Sequence, residues 1–267
     1  MREIRVQTWE ELNEKLFEDS WVAHLGRFRS NFAFRGLSHA SYRLKTSLSR
    51  LGGRYTELEA HLLRNFRKYA HRNAERRDSP WEWLSLAQHH GLPTRLLDWT
   101  FSPFVALHFV TAAVEHFNVD GVVWCIDFVQ LKDALPPSLR SMLEEEGSNV
   151  FTVDMLDRGA GSLQAFQNLS PNEFVAFFEP PSLDDRIINQ FALFSVMSNA
   201  ESMLDDWLEQ HKHLAKRIVI PAELKWEVRD KLDQANINER VLFPGLDGLS
   251  FWLKRHYAPR HNAQPGV

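Results

Sequence analysis

Apolar positions along the chain follow two rhythms. After Thr56 they recur at Leu58, Leu62, Phe66 and Tyr69, a spacing of three or four that lines one face of a helix. Elsewhere they form short runs of strand length, at residues 32–35, 121–128, 173–178, 187–196, 217–220 and 240–243. Helix starts are marked by Thr8 with Glu11, Thr56 with Glu59, and Ser79 with Glu82. In such pairs the hydroxyl takes an orphan amide of the first turn and the acid returns the bond. Pro80 adds a first-turn proline and Gly91 a stop. Ser102 and Pro103 open a further helix to about Glu115, and others are predicted over 131–145, 201–211 and 223–234. The order is an N-terminal helical part, then strands mixed with helices in no regular alternation. That predicts an α+β fold in which the helical part packs on a mixed, mainly antiparallel sheet. No repeat and no long linker divides the chain, so residues 1–267 are expected to form one domain.

Composition narrows the function classes. Hydrophobic residues make up 44% and charged residues 25%, which excludes a disordered, collagen-like or coiled-coil chain. Nine Trp and nineteen Phe supply flat walls that fill cores or stack on planar rings. A net charge of −4 argues against a general polyanion binder while leaving room for a local basic groove. The single cysteine, Cys125, excludes an internal disulfide and a multi-thiolate zinc site, and its apolar surroundings predict a buried, inert thiol. The opening MREIRVQTWEEL lacks the apolar core of a signal peptide. The longest apolar stretch, 104–114, contains His108 and is too short to span a bilayer. A cytoplasmic protein with no membrane partner is expected.

Two constellations carry chemistry. Phe34-Arg35-Gly36 sets a cation at the end of an apolar run, aimed by a glycine turn. It suits a phosphate or carboxylate; a structural ion pair with a carboxylate such as Asp98, common for arginine, is the other reading. Residues 87–103, AQHHGLPTRLLDWTFSP, gather two His, an Arg, an Asp and two hydroxyls in what reads as one loop. Trp99 and Phe101 are placed to sandwich a ring, and free amides after Ser102 to receive an anion; a buried loop capped by Asp98 and Ser102, with Trp99 in the core, is the other reading. Arg64, Arg67, Lys68, Arg72, Arg76 and Arg77 form a basic stripe or a solvated face. His211, His213, His256 and His261 lack the partners of a metal site, and GxGxxG, P-loop, HExxH and GxSxG are absent.

Phe34-Arg35-Gly36, the stretch from Ala87 to Val110, Arg186-Ile187-Ile188-Asn189-Gln190-Phe191-Ala192-Leu193-Phe194 and Leu242-Phe243-Pro244-Gly245-Leu246-Asp247-Gly248-Leu249 together resemble the FRG domain family. The resemblance runs from Phe32 to Lys254, with Phe191 and Ala192 standing where the family has a glycine. More distantly, Phe34-Arg35-Gly36 and the 98–109 segment are similar to ADP-ribosyltransferases, which implies an ADP-ribosyltransferase-like sheet core and NAD as substrate. Under that resemblance Arg35, with Gly36, clamps the phosphates, Trp99 or Phe101 walls the nicotinamide, and Thr100 or Ser102 orients the ribose. Glu239, one glutamate where many transferases have two, is the carboxylate, and His89 is the base. Arg95 and Asp98 line or fix the loop. The implied activity is modification of a macromolecule, nucleic acid (RNA or DNA) or protein, by an intracellular toxin or phage-defence effector restrained by an antitoxin, without a metal. A non-catalytic nucleotide or nucleic-acid binding module and a metal-independent ribonuclease using His89 and Arg95 are the alternatives. A Glu239 that faces away from Arg35 is the mark of the binding module.

Overall fold

A computed structural model describes residues 1–70 and 79–259. Ten strands are β1 (Arg2–Arg5), β2 (Trp21–Val22), β3 (Arg27–Phe28), β4 (Phe32–Leu37), β5 (Leu96–Thr100), β6 (Gly121–Asp127), β7 (Phe151–Thr152), β8 (Val175–Glu179), β9 (Ala192–Met197) and β10 (Ala215–Ile220). The helices are α1 (Trp9–Phe17), α2 (Tyr55–Ala70), α3 (Pro80–His89), α4 (Pro103–Val110), α5 (Pro137–Glu145) and α6 (Val153–Gly159). They continue with α7 (Leu163–Gln167), α8 (Asp185–Asn189), α9 (Leu204–Gln210), α10 (Lys225–Gln234), α11 (Glu239–Leu242) and α12 (Leu246–His256). Eight strands form one sheet in the order β1-β10-β6-β4-β5-β9-β8-β7, while β2 and β3 pair as a separate hairpin. The edge pairs β1–β10 and β7–β8 are parallel and the five between them antiparallel.

The expected mixed, mainly antiparallel sheet is present, but helices are not segregated at the N-terminus. They cover both faces of the sheet. One core joins Trp81, Leu97, Trp99, Trp124, Phe151, Phe177 and Phe178 under α3, α5, α6, α7 and α9. The other joins Leu12, Phe34, Ala106, Val110, Val123, Ile218 and Val228 under α1, α4 and α10. Alternation along β6 explains the division: Val122, Trp124 and Ile126 enter the first core, Val123 and Cys125 the second. Cys125 is fully buried, and burial pushes its thiol up to about 12.

Local chemistry sets the element ends. Thr8 accepts from the Glu11 amide, as its spacing predicts, whereas Ser79 caps α3 at the Trp81 amide, one residue before the Glu82 of the expected pair. Thr56 does not cap, because α2 already begins at Tyr55 and Glu59 turns inward to Arg95. Residues 187–196 divide: Asp184 caps the short helix α8 at two amides, and strand β9 begins only after the left-handed Phe191 (φ +46). The 240–243 run is helical through Leu242, not extended, because the Asn238 side chain accepts from the Val241 amide and starts α11. At Gly248 an added Cβ would lie 1.8 Å from the Phe243 carbonyl oxygen, so α12 packs backbone-close on α11.

Candidate functional site

The sheet has a seam at its centre. β4 and β6 are paired over six residues and β5 and β9 over five, but β4 and β5 pair only at Phe34 and Thr100. Beyond that rung the strands diverge, and a cavity of about 320 Å³ opens between them. Its wall includes Arg35 and Gly36 from β4, Asp98 and Thr100 from β5, Gln88 and His89 from α3, Arg186 and Gln190 around α8, and Phe109. Where the ladder is missing, the Arg35 Nη1 donates to the backbone carbonyl of Asp98. A side chain thus satisfies a carbonyl that a neighbouring strand would otherwise serve.

Arg35 is the electrostatic centre of this cleft. Its side chain is 16% exposed, and its nearest carboxylate oxygen is the Asp98 Oδ2 at 3.9 Å. Asp98 is itself occupied, since the Gln88 Nε2 donates to both its oxygens at 3.0 and 2.9 Å. The Arg35 Nε is buried with no hydrogen-bond partner. Burial lowers its pKa from the ordinary arginine value, Asp98 raises it, and Arg50 lowers it further. An arginine remains protonated regardless, so the cleft holds a buried cation that is only partly compensated. A second guanidinium, Arg186, sits 4.9 Å over the Phe243 ring, with no carboxylate partner among the described residues. His89 borders the cleft and its Nε2 meets the Asp184 Oδ2 at 2.7 Å, tying α3 to α8. Asp184 lies below the usual carboxylate range: burial would raise it, but two backbone amides and His89 outweigh that.

The structure separates the other expected site residues. Trp99 borders the cleft, but its indole is 3% exposed, donates to the Ser195 Oγ at 2.8 Å and packs on Phe177, so it has no free face for a ligand ring. Phe101 packs edge-on against Phe128 in the first core, outside the cleft wall. The Thr100 hydroxyl donates to the Gln190 carbonyl and accepts from the Ser102 amide, and the Ser102 side chain caps α4; both hydroxyls serve the fold. Arg95 is 7% exposed and doubly bonded to Glu59. It borders a different cavity, beside α2, so His89 and Arg95 do not meet in one site.

Glu239 is the principal correction. It does not line the cleft; its oxygens accept from the Arg255 Nε and Nη2 at 2.6 and 2.7 Å. Burial would raise its pKa, yet Arg255 holds it below the usual range. Arg255 also grips Asp233 through two bonds, at 2.6 and 2.8 Å. Asp233 accepts in turn from Arg229, and Arg229 donates to the Nδ1 of the fully buried His108. The network fastens α12 and α11 to α10 and α4. α11 then holds α8, because Asn189 and Gln190 donate to the carbonyls of Val241 and Leu242. Glu239 therefore acts on the cleft only through the wall it supports.

In the basic stripe, Arg64, Arg67 and Lys68 lie on α2 and do not line the cleft; Arg67 covers the Trp83 ring and Lys68 the Tyr69 ring. Arg72, Arg76, Arg77 and His261 lie outside the described residues. Arg186 and Gln190 were visible in the sequence as part of the 186–194 block without a role assigned, and Asp98 joins them because β5 projects alternate residues to opposite faces. Among the described residues no group of three His, Cys, Asp or Glu converges as a metal would require. Nor is any described helix long and apolar enough to cross a membrane.

A seamed α/β sheet with an incompletely compensated arginine at the seam is the architecture. The FRG domain model matches residues 30–119, and that segment is similar to FRG domains. That segment contains the Phe34-Arg35-Gly36 strand, β5 and α4, and hence the seam itself; the 186–194 and 242–249 blocks lie beyond it. No curated protein and no solved structure matches the chain.

Proposed function

We propose that the cleft binds a phosphate-bearing ligand of the nucleotide class, with Arg35 as its anchor and Arg186 as a second cation. The observation that carries this is the buried Arg35 guanidinium, whose Nε lacks a partner and whose nearest carboxylate oxygen is 3.9 Å away. Burying an incompletely paired charge costs several kcal/mol, a cost that an incoming anion offsets. Gln88, His89 and Asp98 offer polar partners at the rim, and Phe109 an apolar wall. The volume lies near the lower end of roughly 300–1,000 Å³ typical of small-molecule sites, which suits a mononucleotide or one half of a dinucleotide.

NAD-dependent ADP-ribosyl transfer to a nucleic acid or protein, in a toxin or defence setting, is the finer activity that the resemblance implies. It needs a carboxylate at the ribose to stabilise an oxocarbenium-like transition state. Asp98 is the carboxylate on the cleft wall, and Glu239 is committed to Arg255. The position of Glu239 favours ligand binding without that chemistry.

The test is calorimetric titration of the purified chain with NAD, ADP-ribose, ADP and AMP, beside Arg35→Gln and Arg186→Gln. Binding by at least one nucleotide, weakened at least tenfold in folded Arg35→Gln, is expected, since hydrogen bonds to charged groups contribute about 1.5–3 kcal/mol. No binding by any of the four, or equal binding by Arg35→Gln, overturns the reading. Incubation of the same protein with adenylate-labelled NAD and cell extract separates the two activities. Label transfer lost in Asp98→Asn would convert the binding module into a transferase.

A further inference from the structure

We infer that the β2–β3 hairpin is a docking surface for single-stranded nucleic acid, an inference independent of the cleft. The hairpin is anchored at its base, where the Arg29 amide donates to the carbonyl of buried Ser20 at 2.6 Å. The turn between its strands contains the left-handed Gly26. Trp21 and Phe28 stand opposite one another in the register, with ring centroids 5.0 Å apart. They remain 55% and 63% exposed, and neither joins a core cluster. Leu25 at the turn is 54% exposed. A two-stranded hairpin without a hydrophobic face beneath it is marginal by itself. Two large aromatics held open on such a hairpin are a surface awaiting a planar partner rather than a piece of core.

Charge selects the partner. Residues 20–30 contain no acidic side chain, although the whole chain carries −4. Arg27 and Arg29 are both exposed, and no carboxylate pairs with either among the described residues. The carboxylates just before the hairpin are already committed: Glu18 to Arg2, Lys15 and Lys216, and Asp19 to Lys216. Phe17, whose carbonyl accepts from Ser20, adds a further ring, 43% exposed. Exposed aromatic faces interleaved with guanidinium groups that no carboxylate neutralises, Arg29 spending one N–H on the Phe28 carbonyl, fit unpaired bases on a phosphate backbone, since stacking accepts any base and arginines track the phosphates.

The test is fluorescence anisotropy of a labelled oligothymidylate of about twelve nucleotides at about 50 and 200 mM salt. The wild-type chain is expected to bind, and to bind more weakly at the higher salt. Trp21→Ala should weaken binding at least about fivefold, the lower bound for loss of one stacked base. Trp21→Phe should retain most of it. Arg27→Gln with Arg29→Gln should lower the slope of log affinity against log salt by about 1.4, two phosphate contacts at about 0.7 each. All these side chains are exposed, and circular dichroism melts verify that each variant folds. Absence of binding at the lower salt overturns the inference, as does unchanged binding by both Trp21→Ala and the double arginine variant. Capture of the hairpin by anionic lipid vesicles, with the oligonucleotide ignored, overturns it equally.

Discussion

Replacing Gly36 by alanine places a methyl group where a helix already runs. The new Cβ would lie 1.8 Å from the carbonyl oxygen of Ala106, 2.8 Å from its carbonyl carbon and 3.0 Å from the amide nitrogen of Val110. All three are backbone atoms of α4, so no rotamer change relieves the clash. Gly36 is not in the left-handed region; its requirement is space, at the closest approach of α4 to β4. To admit the methyl, α4 must retreat by well over an ångström and pull Ala106, Leu107 and Val110 away from Phe34 and Val123. Overpacking costs about 1–3 kcal/mol where side chains yield, and rigid backbone places this case at about 3 kcal/mol or above. A kcal/mol shifts Tm by about 2–4 °C at 150–250 residues, so Gly36→Ala should lower Tm by about 6–12 °C. Thermal melts followed by far-ultraviolet circular dichroism measure this. Gly121→Ala is the internal comparison, because its Cβ would first meet the Val110 Cγ1 at 2.4 Å and the Lys225 Cε at 3.0 Å, both side-chain atoms. It should cost less. A Gly36→Ala melt within about 2 °C of wild type, less than the shift from 1 kcal/mol, or a larger loss at Gly121, would refute the packing argument.

Lys225 is fully buried, its ammonium donating to the carbonyls of Ser38 and His116, and burial lowers its pKa to about 8. The folded state then holds fewer protons than the unfolded one between about 8 and the ordinary lysine value of 10.5, so stability should rise with pH through that window. Denaturant titrations at both ends should show a rise that is absent from Lys225→Met. Burial and Arg229 hold the His108 pKa down to about 3, so its contribution to stability should fall as pH drops below 6.5. His108→Asn, which keeps an acceptor for Arg229, should flatten part of that acid loss in the same titrations. Arg95→Met strands the buried Glu59 carboxylate and should cost about 3–5 kcal/mol, whereas adding Glu59→Leu should recover part of the loss in denaturant melts.

Much of the sheet's framework was legible because its strands are short apolar runs between turns: β4, β6 and β10 fall where those runs do. β5 was missed inside a segment dense with polar residues, although its alternation was present. Leu97 and Trp99 point to one core while Asp98 and Thr100 do not. Of the two readings open for Trp99, ligand wall or core, its period-two position on β5 selects the core. The 240–243 run has strand-like apolar residues but only three of them, too few for periodicity to outweigh the Asn238 cap. Arg35 was legible as a cation beside a glycine on an apolar run, but its place inside β4, next to the missing ladder with β5, was not. Glu239 was misplaced because its partner, Arg255, is sixteen residues downstream on another helix, a pairing no local pattern encodes.

The seam also sets the mechanics of the molecule. A sheet is stiff across its strands because each neighbouring pair shares a ladder, and here the two halves share one rung and the Arg35 bridge to the Asp98 carbonyl. The softest deformation is therefore a rotation of one half against the other about Phe34 and Thr100, which changes the width of the cleft without breaking any other ladder. Occupancy and stiffness become the same variable: an anion that recruits Arg35 alters the staple that holds the halves together. Amide exchange at residues 35–37 and 96–98 would register a ligand as a change in the compliance of the whole sheet.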